Sequence, residues 1–321
     1  MRSIGILSTS SIAPRFIAAV REEGSFEIAA LSSRTLEKAR EKADAWGIPK
    51  AYGSHEDLLA DQNVDIIYIS AVNSAHYKWA KAALLAGKHV ICEKPCTTTE
   101  AQTRELFAIA KEKGLFLMEA QKMLFLPAVQ EVKNAIDSGK LGPIRMAEFN
   151  HSFYGSYNNW MYDEAAGGGP LLSSAIYVVE LLQYLFDCKI AEINGYCTKH
   201  PGTNVEEQYT LSGRMENGVL FSLKNSTVAL LKNGACIYGE KGYAELPNYW
   251  KARDVIFCDH SRTEMQKFPC EHELLYEVQH IADCFQKGLL ESPVVTGQFS
   301  ANAIAVLEKI KDKWQQTEFG V

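Results

Sequence analysis

The stretch IGILSTSSIAPRF, residues 4–16, decides the fold of the N-terminal part of the chain. An apolar run typical of a strand is followed at once by a helical pattern with a proline in its first turn. A strand-turn-helix unit that binds a dinucleotide usually reads G-x-G-x-x-G. Here only Gly5 precedes the turn, and Ser8, Ser10 and Ala13 stand at the spaced positions where glycine is expected. The stretch therefore predicts a nucleotide-binding turn in which small side chains replace glycine.

Residues 1–121 alternate short β-rich runs with longer helical patterns, which is typical of β-α-β units. The predicted strands are SIGILS, EIAALSS, a short AYG, DIIYIS, KHVICEK and LFLMEA. We therefore predict an α/β fold with a doubly wound parallel sheet in residues 1–121. Residues 122–321 contain a helix near 127–138, strands joined by turns, and two final helices near 274–287 and 297–316. This pattern predicts an α+β domain on one large open, mainly antiparallel sheet.

The composition excludes several classes of protein. A chain of 321 residues with 47% hydrophobic residues is long enough for two domains, and its net charge of -6 without a basic block argues against a nucleic-acid partner. Eight cysteines occur without a C-x-x-C pair, and no histidine cluster has metal-ligand spacing. No apolar run approaches 18 residues. These features predict a cytoplasmic protein with no metal and no membrane partner.

The first turn can bind phosphate without glycine. Free N-H groups and the helix dipole favour an anion at the N-terminus of the first helix, and both are properties of the backbone. Serine is the next smallest polar residue, and the hydroxyls of Thr9, Ser10 and Ser11 add hydrogen-bond donors. A turn that binds no nucleotide is equally compatible with this stretch taken alone.

The end of the second strand bears on the choice between NAD and NADP. An NAD site places an Asp or Glu there to bind the ribose 2'-hydroxyl. This chain has Ser33 and Arg34, with Lys38 one turn later. A guanidinium and hydroxyls suit a 2'-phosphate, so these residues favour NADP, with NAD as the second possibility. The alternative is an arginine that only caps a surface helix.

Several later stretches resemble one known family. VICEKPCTTT (residues 90–99), VNSAH, LFLMEAQKMLFLP and the glycine-rich AAGGGPLLSSAIYVVELLQYLF (residues 165–186) resemble the Gfo/Idh/MocA oxidoreductases, and the resemblance runs along the whole chain. The dimeric dihydrodiol dehydrogenases and glucose-fructose oxidoreductase form the most similar branch, through Met118-Glu119-Ala120 and Tyr177. The resemblance implies a Rossmann domain that binds NAD(P), followed by the large sheet domain. It also implies a homodimer or a higher homo-oligomer.

The resemblance assigns a cofactor site to the first domain. Asn73 and His76 would lie near the nicotinamide half, although His76 could equally be a structural residue at a helix N-terminus. Arg34 would face the adenosine ribose. The residues expected to contact the cofactor are Ser8, Thr9, Ser10, Ile12, Ser33, Arg34, Lys38, Asn73, His76, Glu93 and Lys94.

The resemblance also assigns the chemistry. Lys94 would hydrogen-bond the reacting oxygen and Tyr177 would be the proton donor, as general acid-base chemistry on an alcohol requires. A surface Lys94 paired with Glu93 and a buried Tyr177 that only packs are the structural alternatives. Ser173 stands where relatives usually carry an Asp. The residues expected to contact substrate are Lys94, Gln121, Trp160, Ser173 and Tyr177.

The predicted substrate is a sugar, polyol or cyclic diol, because the stretch HSFYGSYNNWMY (residues 151–162) supplies rings and amides. Aromatic residues on a sheet are also common in cores and interfaces. The predicted activity is hydride transfer between NAD(P) and a secondary alcohol or its carbonyl. Ser173 and the glycine-poor turn keep a second hypothesis open, in which the protein is a catalytically silent sensor of a dinucleotide or metabolite.

Overall fold

The computed structural model describes residues 1–153 and 159–315. Contacts divide the chain into two compact units, the first made of Met1–Gln121 with His272–Ala301 and the second of Lys122–Glu271 with the residues from Asn302 onward. Residues 154–158 of the predicted aromatic stretch lie outside the described residues, as does residue 316 at the predicted end of the last helix.

The first unit contains the predicted doubly wound sheet. Its described strands are all parallel, in the order β3-β2-β1-β4-β5-β6. The strands are β1 Arg2–Leu7, β2 Phe26–Ser32, β3 Lys50–Tyr52, β4 Ile66–Ile69, β5 His89–Glu93 and β6 Leu117–Ala120. The helices between them are α1 Ala13–Glu23, α2 Leu36–Trp46, α3 His55–Ala60, α4 His76–Leu85 and α5 Glu100–Lys113. The prediction of a Rossmann domain is confirmed.

Gly5 is the glycine that the packing of this sheet requires. A Cβ at this position would lie 2.9 Å from Leu58 Cδ1 and 2.9 Å from Val64 Cγ1. Glycine therefore lets α3 pack closely against β1. The central strand β4 is buried along its whole length, as expected for a parallel strand with helices on both faces.

The second unit contains the predicted large sheet. Its described strands have the order β14-β13-β12-β11-β7-β10-β9-β8, and every adjacent pair is antiparallel except β7 with β10. The strands are β7 Ile144–Ser152, β8 Ile190–Lys199, β9 Glu206–Met215, β10 Leu220–Ser226, β11 Gly234–Gly239, β12 Gly242–Pro247, β13 Asp254–Asp259 and β14 Thr263–Lys267. Helices α6 Pro127–Asp137 and α7 Ile176–Phe186 belong to this unit, whereas α8 Leu275–Gln286 lies in the first unit and α9 Gly297–Gln315 begins in the first unit and continues in the second.

Helix α8 packs with the first unit, although it follows the predicted domain boundary at residue 121. Glu273, just before α8, forms an ion pair with Arg15 on α1. The Phe285 ring contacts Phe26 and Phe116, with ring centroids 5.7 Å and 4.8 Å apart. The chain therefore returns to the N-terminal sheet near its end.

Within residues 1–153 and 159–315, no helix combines the length and the apolar character needed to cross a membrane.

Candidate functional site

The turn between β1 and α1 replaces glycine at the one residue whose backbone needs it. Ser8 has φ 91°, a left-handed conformation that favours glycine, and its N-H donates to the Ser32 carbonyl at 3.1 Å. Within the described chain no other residue of the turn has a positive φ. The remaining spaced positions therefore need a small side chain, which Ser10 and Ala13 provide.

This turn has unused hydrogen-bond donors. The backbone N-H groups of residues 9–12 donate to no acceptor among residues 1–153 and 159–315. The Ser10 hydroxyl is buried and likewise has no partner in the described structure. Ile12 is the N-cap residue of α1 without a side-chain cap, and the first turn of α1 carries no acidic residue. Unpaired donors at a helix N-terminus fit a diphosphate, so the residues that are present suit a dinucleotide.

The tip of β2 is cationic and polar. Ser32 Oγ lies 2.8 Å from His55 Nδ1, and the Ser33 N-H donates to the Tyr52 carbonyl. Arg34 is exposed, and so is Lys38 in the first turn of α2. Burial lowers the pKa of His55, and the positive charge of Arg34 adds to this effect, so the guanidinium lies within electrostatic reach of the ring. No carboxylate stands at residues 32–34.

His76 connects the ends of β4 and β5 through two backbone carbonyls. It is 1% exposed, with Nδ1 2.8 Å from the Pro95 oxygen and Nε2 3.0 Å from the Ala71 oxygen. Burial lowers the pKa of His76 despite the opposing effect of both carbonyls. The neutral ring can donate to only one of them at a time. This geometry favours the structural alternative for His76, in which it fixes the backbone around the Glu-Lys-Pro segment.

The same edge of the sheet holds the Glu-Lys-Pro segment. Glu93 is the last residue of β5, and its carboxylate accepts a hydrogen bond from the buried Tyr68 hydroxyl at 2.5 Å. The Tyr68 ring stacks on Phe16 of α1, with centroids 3.7 Å apart. Lys94 is half-buried and its peptide bond to Pro95 is cis. Aromatic packing beneath the turn therefore fixes Glu93 beside Lys94.

Two other predicted residues of the first unit are buried at this edge. Asn73 begins a short 3-10 turn after β4, and its carbonyl accepts the N-H of His76. Gln121 directly follows β6 and is fully buried. Both lie at the carboxyl ends of parallel strands, where ligands bind in open α/β sheets.

In the second unit, Tyr177 lies near the start of α7. Its side chain is 8% exposed. Burial raises the pKa of Tyr249 well above its ordinary value, and Tyr177 raises it further, so the two phenols are electrostatic neighbours. Ser173 precedes Tyr177 by one turn, in the π-helical segment Leu171–Ala175, and its hydroxyl donates to the Gly169 carbonyl at 2.7 Å.

The glycine-rich stretch before α7 is shaped by close packing. A Cβ at Gly168 would lie 2.5 Å from the Met161 carbonyl oxygen and 2.7 Å from that of Trp160. Gly169 has φ 103°, and a Cβ there would collide with the Glu206 carboxylate. Glu206 is buried on β9 and accepts a hydrogen bond from the Leu171 N-H at 2.7 Å. Trp160 is half-buried in the short turn that Gly168 contacts.

An aromatic cluster covers part of the sheet near these residues. His151 is fully buried, stacks on Trp250 with centroids 3.8 Å apart, and has Nδ1 3.3 Å from the Tyr249 hydroxyl. Asn225 lies beside His151 in the parallel pair of β7 and β10. Both polar atoms of the Asn225 side chain are buried and lack a partner among the described residues.

Comparison with protein families matches both parts of the chain. Residues 2–121 match the oxidoreductase family with an NAD-binding Rossmann fold, and residues 129–245 match the Gfo/Idh/MocA C-terminal domain. The chain belongs to the Gfo/Idh/MocA family. As a member of this family, it is an NAD(P)-dependent oxidoreductase.

Individual relatives of this Gfo/Idh/MocA protein are similar along almost the whole chain. The protein is 32% identical to trans-1,2-dihydrobenzene-1,2-diol dehydrogenase of Mus musculus and 30% identical to that of Homo sapiens, each comparison covering 96% of this chain and 95% of the relative. The aldose-aldose oxidoreductase of Caulobacter crescentus, crystallised with glycerol, has the same fold, with a TM-score of 0.88, 24% identity and 98% coverage of both chains. A 3-ketoreductase of Actinomadura kijaniata, crystallised with NADP and TDP-benzene, gives a TM-score of 0.87 at 22% identity and 97% coverage of both chains.

The predicted site residues of this Gfo/Idh/MocA protein fall into two groups. Those of the turn, the tip of β2 and the Glu-Lys-Pro segment lie at the carboxyl edge of the first sheet, whereas Trp160, Ser173 and Tyr177 belong to the second unit. Sequence reasoning missed Glu206, Tyr249, Trp250 and Asn225. The aromatic pair Tyr249-Trp250 was a visible signal. Glu206 begins a strand beside a second glutamate, where exposure is the normal expectation.

Proposed function

We propose that this oxidoreductase transfers hydride between NADP and a secondary alcohol, or the corresponding carbonyl, of a sugar, polyol or cyclic diol. The unpaired hydrogen-bond donors of the turn after β1 are the main support for dinucleotide binding in this proposal. When bound, the nicotinamide supplies or accepts the hydride. The residues of this chain then bind the cofactor, orient the substrate and move the proton.

The preference for NADP is supported by the tip of β2. Arg34 and Lys38 are exposed there, and residues 32–34 include no carboxylate that would repel a phosphate. A charge-assisted hydrogen bond contributes about 1.5–3 kcal/mol, which is about a 10- to 150-fold difference in affinity. We therefore propose that Arg34 binds the 2'-phosphate and that NADPH binds more tightly than NADH.

The proposed catalytic pair is Lys94 and Tyr177. Lys94 donates a hydrogen bond from its ammonium group to the oxygen of the reacting carbon. The Tyr177 phenol gives its proton to that oxygen in reduction and takes it back in oxidation. The Tyr68 hydroxyl holds the Glu93 carboxylate, one residue before Lys94, and the helix α7 fixes the backbone of Tyr177.

The substrate class is supported by the buried aromatic and polar cluster around Tyr249. The rings of His151 and Trp250 stack on each other within this cluster, and the Asn225 amide has a donor and an acceptor without partners in the described chain. Sugars and polyols combine apolar ring faces with hydroxyl groups that both donate and accept. Relatives act on, or have been crystallised with, molecules of this kind, including a dihydrobenzene-diol and levoglucosan.

We further propose a cytoplasmic homodimer or higher homo-oligomer. Met146 on β7 and Leu220 on β10 are adjacent in the sheet and 42% and 48% exposed, and Tyr196 on β8 and Met265 on β14 are more than half exposed. Exposed apolar residues on one sheet suit a subunit interface. All eight cysteines are free, which fits a reducing compartment.

Cofactor titration tests the proposal. NADPH and NADH are titrated into the protein while nicotinamide fluorescence is recorded, and NADPH is expected to bind at least tenfold more tightly. Arg34→Glu should remove this preference, whereas Arg40→Glu, the same charge change at an exposed position of α2, should keep it. Binding of neither cofactor would refute the proposal, and equal affinities would refute the NADP preference.

Turnover is then measured with trans-1,2-dihydrobenzene-1,2-diol, levoglucosan and D-glucose as substrates. Lys94→Met and Tyr177→Phe should each abolish turnover without unfolding the protein, while Lys113→Met at the exposed end of α5 serves as the control. A Lys94→Met variant with unchanged turnover would exclude the proposed role of Lys94.

A further inference from the structure

A buried carboxylate contacts the start of the helix that carries Tyr177. Glu206 is 7% exposed and lies at the beginning of β9. Its Oε1 accepts a hydrogen bond from the Leu171 N-H at 2.7 Å, which is the backbone directly after the glycine-rich stretch. A carboxylate at this end of a helix interacts favourably with the helix dipole. The contact therefore connects the sheet to the backbone that leads into α7.

The same carboxylate defines the conformation of the glycine-rich stretch. A Cβ on Gly169 would lie 2.8 Å from Glu206 Cδ and 3.0 Å from Oε2, so the backbone passes directly over the carboxylate. The Gly169 carbonyl in turn accepts both the N-H and the hydroxyl of Ser173. One hydrogen-bonded and packed cluster thus joins Glu206 to Gly169, Leu171 and Ser173. Its last residue, Ser173, lies four residues before Tyr177.

We propose that Glu206 is the positioning residue for Tyr177, and that its ionised carboxylate holds the segment from Gly169 to Ser173 in the active arrangement. Residues 169–173 include no acidic residue, so the negative charge beside this segment comes from β9 and not from the helix itself. The inference rests on the proposed role of Tyr177 as proton donor. It adds a residue that acts on the reaction through the helix backbone.

The electrostatic surroundings make this contact sensitive to pH near neutrality. Burial raises the pKa of Glu206 to about 7, although the Leu171 N-H opposes the shift. Lys311 on α9 lowers this pKa and Glu164 raises it. On the neighbouring strand β8, the other facing groups are Lys199, paired with Glu206 in the sheet, and Cys197, whose pKa Glu206 helps to raise. Protonation replaces a charge-assisted hydrogen bond with a neutral one, which is about half as strong.

The kinetic experiment compares the wild type with Glu206→Gln over pH 5.5–8.5, using NADPH and the best substrate of the panel. Gln resembles the protonated form, so kcat at pH 8 is expected to fall about fivefold, with the two proteins converging near pH 6. Glu206→Asp, which keeps an ionisable carboxylate, should retain a pH-dependent kcat, with the change centred at a different pH. Glu192→Gln, an exposed β8 residue paired with Arg214, should match the wild type throughout. A loss that is equal at every pH would show a merely structural role and overturn the inference.

A second measurement does not depend on turnover. Hydrogen exchange of the Leu171 amide through local openings that leave Glu206 buried, corrected for the intrinsic rate, is expected to be about fivefold less protected at pH 6 than at pH 8 in the wild type and independent of pH in Glu206→Gln. Equal protection at both pH values in the wild type would overturn the inference. A wild type without turnover but with this exchange pattern would instead refute the proposed function while keeping the contact of Glu206.

Discussion

The ionisation of Glu206 should make the stability of the second unit depend on pH. The pKa of this carboxyl is raised from its ordinary value of 4.5 to about 7 by burial. Between these values the folded protein keeps a proton that the unfolded chain has lost, so stability falls as pH rises from about 4.5 to about 7. At about 1.4 kcal/mol per pH unit, the full effect is about 3 kcal/mol above pH 7. The Glu206→Gln variant has no ionisable group at this position and therefore lacks this dependence of stability on pH.

The difference in unfolding free energy between Glu206→Gln and the wild type should therefore rise by about 2.5 kcal/mol from pH 5 to pH 8, because part of the effect is already present at pH 5. Contributions that do not depend on pH cancel in this comparison. Native-state hydrogen exchange of the β9 amides reports the unfolding of this unit by itself. Glu192→Gln, in an exposed pair, should change by less than about 1 kcal/mol. A difference that stays constant with pH would refute the reasoning.

Three further substitutions test single contacts. Ser8→Val should lower the stability of the first unit by about 1–3 kcal/mol, because a β-branched residue is strained at φ 91°. The control Ser8→Gly should have a stability within about 1 kcal/mol of the wild type, and thermal unfolding measures both variants. Gly169→Ala should lower the free energy of unfolding, measured in urea, by at least about 2 kcal/mol, because the new Cβ would collide with the Glu206 carboxylate. The same substitution should cost less in a Glu206→Ala variant, which lacks that carboxylate. His76→Phe should cost about 1–3 kcal/mol, because the backbone carbonyl of Ala71 or Pro95 that accepts from the neutral ring loses its donor. The loss should shrink below pH 6.5, because the unfolded chain binds a proton there that the buried histidine of the wild type resists, and equal losses at pH 5 and pH 8 would contradict this.

Local pattern was sufficient to predict the two sheets. The apolar runs of β1, β4 and β5 and their intervening helices predict parallel strands, because both faces of such a sheet are covered. The edge strand β14 was missed, since TEMQK has no buried face and therefore no apolar alternation. The parallel pairing of β7 with β10 was also missed, because it joins strands distant in sequence.

The candidate site was predictable where a residue's role follows from its neighbours in the chain. Ser8 was predicted as a substitute for glycine, and its backbone has the conformation that favours glycine. Glu206 could not be found in this way, because its importance comes from Gly169 and Leu171, more than 30 residues earlier in the sequence. The return of α8 to the first unit is likewise a property of long-range packing.

The single left-handed residue in the first turn has a consequence for how such proteins diverge. Since only position 8 must adopt a positive φ, the other two glycines of the familiar consensus can be exchanged for any small residue without altering the path of the backbone. Dinucleotide-binding chains of this kind are better recognised by a pattern of torsion angles and side-chain volumes than by a string of letters.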